Sequence, residues 1–106
     1  MTISARYRDI VHELNHLLGN FPPIAGQEDG RAFGQLEKAA AILAEQDELV
    51  GEIPQFRLEK ELTPVLLKAH AALDRGRLIL EERGETERAA AVWEIEQRIY
   101  RLLNDL

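Results

Sequence analysis

Apolar residues return at three- and four-residue steps in four separate stretches of this chain, and nowhere do they alternate with polar residues at the two-residue period of a strand. A chain patterned this way buries its apolar stripes by packing helix against helix. The first stretch covers about residues 3–18, where Ile3, Tyr7, Ile10, Val11, Leu14, Leu17 and Leu18 share one side. Gly19, Asn20 and the pair Pro22-Pro23 stop it. NFPPIAGQEDG, residues 20–30, then reads as a loop rich in turn formers.

The second stretch spans about 31–50, with Ala32, Phe33, Leu36, Ala40, Leu43 and Val50 on one face and Gly51 and Pro54 beyond its end. Residues 51–62, GEIPQFRLEKEL, admit a short helical turn around Ile53 and Phe56 or an extended piece through Phe56 and Leu58; the turn is the expectation. The third stretch, about 64–83, has the clearest start in the chain. Thr63 suits an N-cap, and Pro64 suits the first helical position, where its missing N–H costs nothing. Val65, Leu66, Ala69, Ala72, Leu73, Gly76, Ile79 and Leu80 form its apolar stripe, and Gly84 closes it.

The fourth stretch, about 86–104, turns Ala89, Val92, Ile95, Ile99, Leu102, Leu103 and Leu106 inward, with Trp93 and Tyr100 on its flank. Glu94 and Arg98 are spaced as an i,i+4 pair on its outer face. The fold expected is all-α: a four-helix bundle in one domain, 1–106, whose last two helices form an antiparallel hairpin. At 106 residues the chain is long enough to bury roughly two-thirds of its unfolded surface without staples.

There is no cysteine, so disulfides, thiolate metal sites and thiol catalysis are excluded. Of the net charge of −6, residues 21–62 carry −5, nine acids against four bases. Acidity of this kind repels phosphate backbones, so nucleic acid is not an expected partner. Arg6, Arg8 and Asp9 interrupt any leader-like apolar run, and no apolar run approaches the ~18 residues of a membrane span. A cytoplasmic protein with no membrane partner is the expectation.

His12-Glu13-Leu14-Asn15-His16, followed by Gly19, spells H-E-x-x-H-x-x-G and resembles the zinc-binding helix of metalloproteases. Two imidazoles one turn apart reach one metal, and the glutamate polarises the attacking water. The resemblance implies a zinc-dependent hydrolase or metal-binding protein using His12, Glu13 and His16. The pattern departs from the longer metzincin form at Pro22, where the third histidine would stand, so that ligand would have to be remote, for example His70. At roughly 100° per residue, His12 and His16 also fall opposite the Tyr7–Leu14–Leu18 stripe, facing water. No cofactor is therefore expected.

His70, in LLKAHAALDRG, invites comparison with histidine-phosphotransfer bundles, but Ala71, Ala72 and Leu73 follow it where those domains carry Lys and Gly. It reads as a boundary histidine. The last hairpin resembles one tetratricopeptide unit through Leu73, Gly84, Ala89 and Trp93, whereas Arg77 and Glu96 stand where that repeat has small residues. A single unit lacks the neighbours such repeats need, so it reads as a generic helical hairpin.

Two carboxylates fall on apolar faces: Glu96 among Ala89, Val92, Tyr100 and Leu103, and Asp47 among Ala40, Leu43 and Val50. A buried carboxylate must be paired, hydrogen-bonded or neutral. Two apolar strips remain outside the main stripes: Ile42 with Leu49, and Leu67 with Ala71 and Leu78. Aligned strips of this kind suggest a docking patch. The function expected is therefore a non-catalytic helical protein acting through protein–protein interaction, as a homodimer, adaptor or regulator.

Overall fold

Thr2 opens the first helix, α1 (Ile3–Gly19), by accepting a 3.1 Å hydrogen bond from the Ala5 N–H, one of the four N–H groups that a helix start leaves free. A computed structural model of the protein describes residues 2–20 and 27–106. Three further helices follow: α2 (Gln27–Asp47), α3 (Leu58–Glu82) and α4 (Thr86–Asp105). No strand occurs among the described residues.

The helices form a four-helix bundle of 45 × 22 × 21 Å in which each packs on the next and α4 returns to α1. Cross-helix pairs give the directions. Tyr7 and Arg8 near the start of α1 meet Leu43 and Asp47 near the end of α2. Arg6 and Glu13 of α1 meet Asp105 and Arg98 of α4, in reversed order. Neighbours are therefore antiparallel, and a single cluster built around Tyr7, Leu14, Leu36, Leu66, Leu73 and Ile99 fills the middle.

Tyr7 is fully buried, and its hydroxyl donates to the Leu43 carbonyl, so this large side chain packs without an unpaired polar tip. Burial, with the charges of Asp47 and Glu45, raises its phenol pKa and keeps it protonated. At the other end of the bundle, Gly84 takes a φ of +75°. The Glu85 N–H reaches the Leu80 carbonyl at 2.9 Å and the Gly84 N–H reaches that of Glu81 at 3.0 Å, a Schellman closure that reverses the chain into α4.

Several boundaries differ from the sequence reading. Helix α3 starts at Leu58, not after Thr63, so Pro64 lies inside it. Leu58 and Leu62 continue the stripe of Leu66, Ala69 and Leu73 toward the N-terminus and are buried. Burying each contributes about 1.5–3 kcal/mol, enough to offset the ~3 kcal/mol of an interior proline. Pro64 sits on the exposed side, where water can solvate the carbonyl it leaves free. Glu59 and Glu61 in the first turn also favour this earlier start.

Helix α2 begins at Gln27, so residues 27–30, expected in the loop, are helical; the expected loop at 21–26 lies outside the described residues. It ends at Asp47 rather than at residue 50. Val50 is buried by a 3-10 turn, Val50–Glu52, and the Arg8 side chain lies against Gly51 and donates to the Asp47 carbonyl at 3.3 Å. A cation at a helix C-terminus complements the dipole. A second such turn, Gln55–Arg57, leads into α3, so the ambiguous 51–62 segment is helical turns followed by helix.

Asp47 is a correction: expected on a buried face, it is only partly buried, because it is the last residue of α2. Ile42 is another. It packs against the core from the edge of the Ala32–Leu36–Leu43 face, and Leu49 lies beyond the helix, so the two do not form a helical strip. Arg98, expected to pair with Glu94, instead reaches Glu13 of α1 at 2.6 Å.

Candidate functional site

The helix that carries His12 and His16 presents both to solvent, opposite its buried Tyr7, Ile10, Val11 and Leu14. Glu13, the residue that would polarise water, is engaged by Arg98. His16 Nε2 lies 3.3 Å from the Asn20 amide. Among the described residues, no group of three His, Cys, Asp or Glu side chains converges on a point where a metal could sit, and His70 is on α3. The residue types of a zinc helix are present without its converging third ligand. Purified protein is accordingly expected to carry no stoichiometric zinc, and a chelator to leave its melting temperature unchanged. One tightly held zinc per chain, lost on His12→Ala, would contradict this.

The chemistry concentrates instead on the seam between α3 and α4. His70, Asp74, Arg77 and Glu81 follow one another at four- and three-residue steps, so they line one side of α3. Glu96 approaches them from α4 and is only 2% exposed. Its Oε1 lies 3.6 Å from His70 Nε2, and its Oε2 lies 3.2 Å from Arg77 Nε. Arg77 does not serve Glu96 alone. Its Nε and Nη2 donate to Asp74 Oδ1 at 3.1 and 2.7 Å, and its Nη1 donates to Glu81 at 2.8 Å.

One guanidinium is thus surrounded by three carboxylates, and the N–H closest to Glu96 points at Asp74. Glu96 Oε2 consequently receives no hydrogen bond, although it is fully enclosed. Burial first, and the neighbouring Asp74 carboxylate second, push the Glu96 carboxyl up to about 7. The hydrogen bond from Arg77 holds Asp74 below its ordinary range. The two acids are therefore driven apart, Asp74 towards its ionised form and Glu96 towards its protonated form.

Arg77 and Glu96 are also the two residues that depart from the tetratricopeptide pattern. Where that repeat packs small residues, an ionisable pair spans the seam. Asp74 was not singled out by the sequence reading, although its place one turn beyond His70 was a usable signal.

Outside this seam, Leu67 and Leu78 on α3 are 54% and 47% exposed, with Ala71 exposed between them. Trp93 and Tyr100 are exposed on α4. A shallow cleft of about 240 Å³ between α1 and α4 is lined by Arg6, Asp9, Ile10, Glu94, Arg98 and Arg101. Its charges largely answer one another, since Arg6 and Arg98 are held by Asp105 and Glu13. No described helix is long and apolar enough to cross a membrane. No family model matches the chain, and no curated protein or solved structure matches it.

Proposed function

We propose that this protein is a non-catalytic helical module that works by protein–protein contact, and that its contact face is the outer side of α3. The observation that carries this reading is the alignment of Leu67, Ala71 and Leu78. At roughly 100° per residue they fall within a narrow sector opposite the buried Leu66–Leu73–Leu80 side, and both leucines are about half exposed. Apolar surface in register on one helix face is the usual form of a helix-docking site.

The same face favours a second copy of the chain as the partner. Lys60 and Glu82 stand equally far in sequence on either side of Ala71, and so do Pro64 and Leu78. Two α3 helices laid antiparallel about a twofold axis at Ala71 would bring each Lys60 to the partner's Glu82. Each Leu78 would meet the partner's Pro64, and the small Ala71 would sit at the crossing. One helix face buries less than the ~800 Å² per partner of a standard interface, so the association should depend on concentration.

Light scattering across a concentration series tests this directly. Wild type should pass from monomer to dimer, and the Leu67→Glu, Leu78→Glu double variant should remain monomeric with its helicity unchanged. A wild type that stays monomeric at high micromolar concentration would remove the self-association reading. Failure of the leucine variant to alter an observed dimer would move the contact to another face.

A further inference from the structure

Glu96 cannot satisfy both of its oxygens as a carboxylate. Oε2 is enclosed, receives no hydrogen bond and faces a guanidinium whose Nε and Nη2 donate to Asp74 and whose Nη1 donates to Glu81. The nearby Asp74 carboxylate is also an acceptor, so two ionised acids have no hydrogen between them. A proton on Glu96 changes this: the carboxylic acid becomes a donor, and the neighbouring acceptor is Asp74, whose Oδ1 lies 3.1 Å from the same Arg77 Nε that lies 3.2 Å from Glu96 Oε2. We propose that Glu96 and Asp74 hold one proton between them across the α3–α4 seam, and that gain and loss of this proton tightens and loosens the packing of α4 on α3.

The groups that act on Glu96 come from α3: His70 at Oε1, Arg77 at Oε2, Asp74 beside it, and Glu81 on the far side of Arg77. Among the described residues, α1, the other helix against α4, contributes no competing partner at this point. The charges of α1 that reach α4, Arg6 and Glu13, are held by Asp105 and Arg98, and Asp9 lines the cleft on that side. Loss of the proton leaves three carboxylates around Arg77. The His70 imidazole is partly exposed, and at 3.6 Å its Nε2 is too far from Glu96 Oε1 for a normal hydrogen bond.

The direction of the effect follows from linkage. Folding raises the Glu96 carboxyl from its ordinary 4.5 to about 7, so the folded protein holds the proton more tightly than the unfolded chain. The stabilisation is complete below the ordinary value and is lost as pH rises through the folded one. Asp74 acts in the opposite sense at lower pH. Its pKa is held below the ordinary 3.8, so its contribution is lost as pH falls through that range. The seam should therefore be tightest in mildly acid solution.

The test uses the full chain. Carbon-detected titration should place the midpoint of the Glu96 side-chain carboxyl near neutrality, and Asp74→Asn should move it. Thermal melts at about pH 5.5 and about pH 8 should show wild type losing several degrees at the higher pH. Glu96→Gln, which carries a permanent donor, should abolish most of that difference, and His70→Ala should preserve it. A Glu96 carboxyl that titrates in the ordinary carboxylate range of the folded protein overturns the proposal, and this reading holds even if Glu96→Gln fails to fold. So does a Glu96→Gln variant that keeps the wild-type pH response, or a response that disappears with His70 alone.

Discussion

Gly76→Val is expected to destabilise the protein by about 3 kcal/mol or more, as read from denaturant midpoints. Gly76 is buried where α3 crosses α2, and a Cβ added there would lie 3.0 Å from Leu36 Cδ2, 3.4 Å from the Ala32 carbonyl oxygen and 3.4 Å from Gln35 Cβ. Leu36 is itself fully buried and has little room to turn aside. Overpacking of a tight core costs typically 1–3 kcal/mol, and the branched methyls of valine would meet backbone as well as side chain. The alanine variant separates the two opposing effects. A helix gains about 1 kcal/mol when alanine replaces glycine, so Gly76→Ala should lie far closer to wild type than Gly76→Val. Equal stability of the valine variant and wild type would mean that α2 and α3 are spaced more widely at this point.

The second large effect is expected at Arg77. Replacing it with Met keeps the stem that packs along the seam and removes the guanidinium shared by Asp74, Glu81 and Glu96. Removing one partner of a buried pair costs about 3–5 kcal/mol, and partial exposure of the Arg77 and Asp74 side chains reduces this to roughly 2–3 kcal/mol. The loss should grow with pH. At about pH 5 Glu96 is protonated with or without Arg77, whereas at about pH 8 wild type ionises it beside the guanidinium that lowers its pKa and the variant must either keep the proton or ionise it unaided. Denaturation curves at the two values check both the size and the sign. An Arg77→Met cost that is the same at both would show that Arg77 acts through packing alone.

Much of the bundle is legible from local chemistry. A 100° step assigns Leu66, Leu73 and Leu80 to one side of α3 and Ile99 and Leu102 to one side of α4 whatever they pack against. Gly84 followed by a fresh apolar period announces a tight reversal, and the chain turns there through a left-handed glycine. The same arithmetic turns Glu96 inward and His12 and His16 outward. Errors arise where two local signals compete and a distant surface decides between them. Thr63-Pro64 has the chemistry of a helix start, yet two buried leucines upstream outweigh it, and the value of their burial depends on helices not adjacent in sequence. Ile42 was placed by its angle alone, and the edge of a helix is buried or exposed according to where its neighbour sits.

The candidate site divides along the same line. Sequence alone determined that Glu96 lies on an apolar face and that His70, Asp74, Arg77 and Glu81 share one side of α3, because helical phase is a property of each segment by itself. Tertiary structure decided that these two faces meet. It set the axial offset between α3 and α4 that brings Arg77 to Glu96, and it directed the guanidinium N–H groups to Asp74 and Glu81 so that Glu96 Oε2 is left without a donor. Periodicity carries the angle of each side chain about its own axis. It carries neither the offset between two helices nor the choice of a hydrogen bond among three acceptors, and both are fixed only when the whole core packs.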